Sequence, residues 1–252
     1  MRFDEPPSEE TLRILIDEAR GRGEETVTVE ATSESGDAWV RAGFSEQARV
    51  LEASVASLEQ RLSSHKGPSY GSVHVQTDDL DGVVRAVRQF VPRLPGGSKG
   101  SVVAPPRNGW IGVYDELTDR NPEMLRRLAR ELSDRMGAVV FQLGVEEGQV
   151  VRFVLLERGR TMDEYLSVPE YYGEVAPGDV ISLAANPTVV ARLTGANAGE
   201  VRSVIVTGRS PDELPPAEEL VAAVGSLLGV EGGDHGYERA GEIPDAVDIP
   251  RE

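Results

Sequence analysis

The chain has 252 residues, 39% of them hydrophobic and 27% charged, with a formal net charge of -17 at pH 7 and no cysteine. That size and balance fit one large globular domain or two modest ones. The missing thiols exclude disulfides, zinc–thiolate sites and a cysteine nucleophile, and the acidity disfavours nucleic acid and anionic membrane surfaces as partners.

The N-terminal stretch MRFDEPPSEE has no apolar core and does not read as a signal peptide. No apolar run approaches the ~20 residues that span a bilayer. No membrane and no nucleic acid are therefore expected, and a cytoplasmic location is. Residues 8–21 predict a helix: Ser8 can cap it, Leu12, Leu15, Ile16 and Ala19 recur at helical spacing, and Gly21 and Gly23 end it. ETVTVEAT alternates, with Val27 and Val29 on one face, as a strand does. A short helix over 35–42, a strand over 44–51 and a further short helix carrying Val55, Leu58 and Leu62 follow. SSHKGPS, residues 63–69, reads as a linker between domains.

The pattern then restarts. GSVHVQT is a strand with Val73 and Val75 on one face and Ser72, His74 and Gln76 on the other. Asp78 or Asp79 can cap a helix with Leu80, Val83, Val84, Val87 and Val91 as its stripe. SVVAPPRNGWIGVYDE reads as two strands around a Pro-Pro-Arg-Asn-Gly turn. Asn121 and Pro122 start a helix that Gly137 ends. A meander of strands turns at Glu147-Gly148 and Arg158-Gly159. Asn186-Pro187 starts another helix, and 216–229 is a last amphipathic one. The order strand, helix, strand, strand, helix, strand fits a ferredoxin-like split βαβ unit with an extra hairpin; a sandwich of sheet and helices with other pairing is the alternative. The expected class is α+β, with this domain over 70–229. Residues 230–252, acidic and poor in large apolar side chains, read as a flexible tail.

Residues of about 8–62 bring helix, strand, short helix, strand and helix together with WVRAGF, whose Gly43 and Phe44 stand where the short helix gives way to the last strand. This resembles the C-terminal half of the GNAT superfamily of N-acetyltransferases, with the GNAT-like unit over 1–62. The resemblance implies a Gly-rich turn for the acetyl-CoA pyrophosphate at the N-terminus of the first helix, where backbone N–H groups and the helix dipole hold an anion. This chain has RFDEPPSEET there, and Asp4, Glu5, Glu9 and Glu10 would repel it. The family's tyrosine acid aligns with Trp39, whose indole cannot serve as one. The resemblance therefore implies a retained scaffold with no catalytic residue and no cofactor. A half-fold also leaves a sheet edge without its former neighbour. A homo-oligomer or a partner protein covering that edge is the expectation.

In the second domain, His74, Gln76, Trp110 and Tyr114 fall on the sheet face opposite Val73, Val75, Ile111 and Val113. With Arg107 and Asn108 at a hairpin tip, they are candidate ligand-binding residues for a flat ligand or a partner; the other reading is that this face packs on the extra hairpin or a neighbouring subunit. The functional expectation is an acetyltransferase-derived scaffold or recognition protein. The alternative is an active acetyl-CoA-dependent N-acyltransferase completed by the second domain or another subunit, with Lys99 of PGGSKGS as its only candidate cofactor contact. Last comes a metal-dependent or hydrolytic site on the carboxylate pairs Asp115-Glu116 and Asp163-Glu164. The histidines, His65, His74 and His235, lie too far apart in sequence for metal-ligand spacing, so no metal is expected.

Overall fold

The computed structural model describes residues 2–3, 8–31, 39, 42, 44–47, 50–54 and 67–251. The chain divides into two compact units, Met1–Lys66 and Gly67–Glu252. The helices expected over 35–42 and around Val55, Leu58 and Leu62, together with Gly43 and His65, lie largely outside the described residues.

In the first unit, β1 (Arg2–Phe3), α1 (Glu9–Arg22), β2 (Thr26–Ala31), β3 (Ser45–Gln47) and β4 (Val50–Ser54) follow in order. The sheet runs β1-β2-β4-β3. β1 lies parallel to β2, and the other pairs are antiparallel. The Ser8 hydroxyl accepts from the Thr11 N–H, and Gly23 closes α1 in the left-handed region that lacks a Cβ penalty. The stripe Leu12, Leu15, Ile16 and Ala19 is buried with Val27, Val29, Trp39 and Phe44. The single strand expected over 44–51 is instead the hairpin β3–β4. β1 covers β2 only at Glu30 and Ala31. Among the described residues, no strand pairs with the rest of that side of β2.

The second unit is built on one sheet, ordered β10-β9-β8-β5-β7-β6-β11 with every neighbour antiparallel. Its strands are β5 (Tyr70–Gln76), β6 (Gly100–Val103), β7 (Trp110–Asp115), β8 (Val139–Glu146), β9 (Val150–Glu157), β10 (Arg160–Leu166) and β11 (Val247–Pro250). The helices are α2 (Leu80–Phe90), α3 (Glu116–Arg120), α4 (Pro122–Met136), α5 (Pro177–Ser182), α6 (Pro187–Thr194), α7 (Ala198–Val204), α8 (Ala217–Leu227) and α9 (Tyr237–Ala240). The unit is therefore α+β. Asp79 and Asn121 cap α2 and α4 through their side chains. The turns at Asn108-Gly109, Glu147-Gly148 and Arg158-Gly159 each place two successive residues at positive φ, which matches the twist of a tight hairpin.

Period-two alternation gives the sheet two apolar faces. On one, Val73, Val75, Ile111 and Val113 meet Val83 and Val87 of α2 and Leu128 and Leu132 of α4. On the other, Phe141, Leu143, Phe153 and Tyr165 meet Val190 of α6, Val201 of α7 and Leu220, Val221 and Val224 of α8. The part of this second face nearer β6 and β7 is covered by the C-terminal segment.

That segment corrects the reading of 230–252 as a flexible tail. β11 adds to the edge of β6 from Val247 opposite Val103 to Pro250 opposite Gly100. Ala240, Ile243 and Ala246 pack with Val102, Ala104 and Tyr114. The composition is acidic, yet the few apolar residues are spaced to reach one surface, and β6 would otherwise be an exposed edge. Among the described residues, no helix is long and apolar enough to cross a membrane.

Removing residues 241–252 should uncover Val102, Ala104 and the β6 edge. The expected result is a lower melting temperature and concentration-dependent self-association in size-exclusion chromatography with light scattering; an unchanged monomeric profile would contradict the role given to β11.

Candidate functional site: a cavity under the C-terminal segment

The face carrying His74, Trp110 and Tyr114 is not open. His74 is 0%, Trp110 4% and Tyr114 1% exposed. Of the two readings of this face the open one is corrected; the face is packed, and its cover is made by helices and the C-terminal segment of the same chain, not a neighbouring subunit. The covering is incomplete and leaves a cavity of about 270 Å³. Arg107, Trp110 and Tyr114 line it from the β6–β7 side, and His235, Arg239 and Glu242 from the C-terminal side.

Local sequence explains the geometry. Gly112 stands two residues before Tyr114 on β7, and a Cβ there would lie 2.8 Å from the Tyr114 hydroxyl. The tyrosine ring can therefore lie along the sheet. Its hydroxyl donates to the Gly232 carbonyl at 3.0 Å. Gly232 has φ +76°, and a Cβ on it would come within 2.2 Å of the same hydroxyl. His235 then stacks on Tyr114 with centroids 5.3 Å apart and rings nearly parallel. Burial, with Asp234 as a lesser cause, pushes the Tyr114 phenol well above its ordinary value, so it acts as a neutral donor.

Behind Tyr114, His74 meets it edge to face at 6.1 Å. Burial first, and the nearby His235 second, push His74 down to about 3, so its imidazole is neutral and weakly basic. One ring nitrogen, Nε2, shares a 2.8 Å hydrogen bond with Ser72. The other, Nδ1, is buried without a hydrogen-bond partner, as is His235 Nε2. At the rim, Glu231 receives Arg107 at 3.3 Å on one oxygen and Asn108 at 3.1 Å on the other.

Of the residues singled out by sequence, the structure gathers Arg107, Trp110 and Tyr114 around the cavity, with Asn108 at its rim and His74 behind its wall. Gln76 sits opposite Trp110 in the β5–β7 register but does not line the space. Lys99 is elsewhere. It lines a second cavity of about 610 Å³ with Glu116, Asp119, Glu218, Asp234 and Glu238. Its ammonium lies 3.8 Å from Glu116. Carboxylates outnumber cations there, a poor environment for a diphosphate.

Neither carboxylate pair is free for chemistry. Asp115 is buried, accepts from Ser98, Ser101 and the Leu117 N–H, and caps α3. Glu116 bonds Arg120. Asp163 accepts from the Asn186 and Glu164 N–H groups, and Glu164 pairs with Arg126. No group of three or more possible metal ligands occurs among the described residues.

No family model, no curated protein and no solved structure matches this chain.

Sequence reasoning missed His235, Arg239, Glu242 and Asp119. The first three lie in the segment read as a tail; the signal was there in EGGDHGYERAGEIP, where glycines alternate with ring-bearing residues in the manner of a tightly folded loop. Asp119 fastens that segment. One of its oxygens accepts from the Gly71 N–H at 3.1 Å, the other from the Tyr237 N–H at 2.7 Å. Gly236 leaves room for it, since a Cβ there would lie 2.4 Å from the carboxylate.

Burial raises Asp119 to about 6, outweighing the two N–H bonds that favour its charged form. The folded state thus holds this proton more tightly than the unfolded chain. Its contribution to stability is complete below about pH 4 and is lost as pH rises through about 6. The difference in unfolding free energy between the native chain and Asp119→Asn should fall by roughly 2–3 kcal/mol across that window. Urea titrations at pH 4, 5, 6 and 7 measure it, and a flat difference would show that Asp119 is not perturbed by burial.

Proposed function

We propose that this chain is a non-catalytic, acetyltransferase-derived recognition protein. Its first unit is a retained GNAT-like half serving as scaffold, and its second unit binds a small ligand under the C-terminal segment. The observation that carries this reading is the cavity itself: a small concave space with aromatic walls and a few converging polar groups.

Several features support the scaffold role of the first unit. Ser8 and the acidic side chains Glu9 and Glu10 occupy the start of α1, where a pyrophosphate would need bare N–H groups. Trp39 is fully buried, edge to face with Phe44 at 5.1 Å, so its indole belongs to a core and not to a cleft. α1, β2, the helical residue Trp39 and Phe44 follow one another in the order the resemblance implies, with the hairpin β3–β4 where it implies one strand. The length of β2 that no strand pairs with among the described residues favours a second copy or partner on that edge. In the second unit, the order β8-β5-β7-β6 with α2 and α4 on one face supports the ferredoxin-like reading, with β9 and β10 as the added hairpin.

A binding role fits the second unit better than acid–base or nucleophilic chemistry. His74 is enclosed and weakly basic, Tyr114 donates to a backbone carbonyl, and Asp115 and Asp119 are engaged by hydrogen bonds.

Screening a panel of small fragments against the full chain should give members that raise the melting temperature, as any ligand specific for the folded state does. Their binding should shift the amide resonances of Gly112, Gly232 and His235. Acetyl-CoA should leave the melting temperature unchanged. A rise with acetyl-CoA would favour the acyltransferase, and fragments mapping only elsewhere would remove the cavity from consideration.

A further inference from the structure

Four charged side chains line the smaller cavity: Arg107, Glu231, Arg239 and Glu242. Two of them cancel. Both oxygens of Glu231 are occupied, one by Arg107 and one by Asn108. Arg239 and Glu242 have no ion-pair partner among the described residues, and both are exposed. They are three residues apart, and the Glu242 N–H donates to the Arg239 carbonyl at 3.1 Å, so both side chains leave one turn of backbone. The cavity thus presents Glu242 and Arg239 from one turn of backbone, with Arg239 standing on the wall it shares with the larger cavity.

We propose that this cavity takes a small aromatic zwitterion of the α-amino-acid type. The ring lies against Trp110, beside the stacked Tyr114–His235 pair, the carboxylate meets Arg239 and the ammonium meets Glu242. This rests on the reading of the cavity as a recognition site and adds the class of ligand. A bare anion would be attracted by Arg239 and repelled by Glu242; a bare cation would meet the reverse. Only a ligand with both charges uses both groups, and a carboxylate offers Arg239 the bidentate geometry a guanidinium favours. The volume of about 270 Å³ is at the small end for ligand pockets and suits a single ring with a short charged end. The larger cavity, which shares Arg239, lacks this balance, since five carboxylates face three cations there.

Calorimetry on the full chain with L-phenylalanine, 3-phenylpropionate and 2-phenylethylamine tests the assignment. L-phenylalanine should bind at least about tenfold more tightly than either analogue. Arg239→Gln should weaken L-phenylalanine and 3-phenylpropionate by about tenfold or more and leave 2-phenylethylamine within about threefold. Glu242→Gln should do the mirror image. Both positions are exposed, and near-UV circular dichroism checks that the variants fold. Equal affinity for the three probes, insensitivity to both substitutions, or no binding of any probe overturns the zwitterion. The recognition reading fails separately, if no fragment of any class shifts Gly112, Gly232 and His235; a fragment that shifts them and ignores both substitutions keeps that reading and sinks only the ligand class.

Discussion

The seven-stranded sheet of the second unit is apolar on both faces, and each face must be kept from water. Burying one large aliphatic or aromatic side chain is worth about 1.5–3 kcal/mol, so an uncovered half-face would cost more than a domain's whole margin of stability. α2 and α4 cover one face over its central strands. On the other, α6, α7 and α8 settle over the strands from β5 to β10 and leave the β6–β7 end. Only the C-terminal segment remains to cover it. Its contributions, Ala240, Ile243 and Ala246, are small or half-buried. They seal the edge but do not fill the space above Gly112 and Trp110. The cavity is the residue of that mismatch between a broad apolar surface and a thin cover.

Polar groups fix the cover in place. A hydroxyl or carboxylate removed from water must find partners. Tyr114 finds Gly232, Asp119 finds the N–H groups of Gly71 and Tyr237, and Arg251 donates to the Ser98 carbonyl. Each bond joins a residue of the sheet region to the C-terminal segment or to the start of β5. The glycines at 112, 232 and 236 make these approaches possible, because a side chain at any of them would collide with Tyr114 or Asp119. The segment that completes the core is therefore also the one that supplies His235, Arg239 and Glu242 to the site.

The first unit follows a simpler logic. One amphipathic helix buries its stripe on a small sheet, and two aromatic residues close the core. Its helix start is capped by serine and surrounded by acids, which stabilises the helix and disfavours an anionic ligand at the same end. The same residues thus serve folding and leave that helix end ill-suited to an anion.

Local signals in the sequence were strong enough to place most elements. Asn121-Pro122 and Gly137 bound α4, Glu147-Gly148 and Arg158-Gly159 mark the hairpins, and the alternation of Val73 and Val75 with Ser72 and His74 assigns the two faces of β5. These depend on residues within a few positions of one another, so a one-dimensional pattern suffices. The sequence also brought Arg107, Trp110 and Tyr114 forward as one group, since a hairpin holds them together. What it left undecided was non-local. Whether the His74 face meets water, and whether an acidic stretch more than a hundred residues later is free or folded, depends on contacts between Tyr114 and Gly232 and between Asp119 and Tyr237. Only the tertiary structure decides those, because burial is a property of surfaces brought together and not of any segment alone.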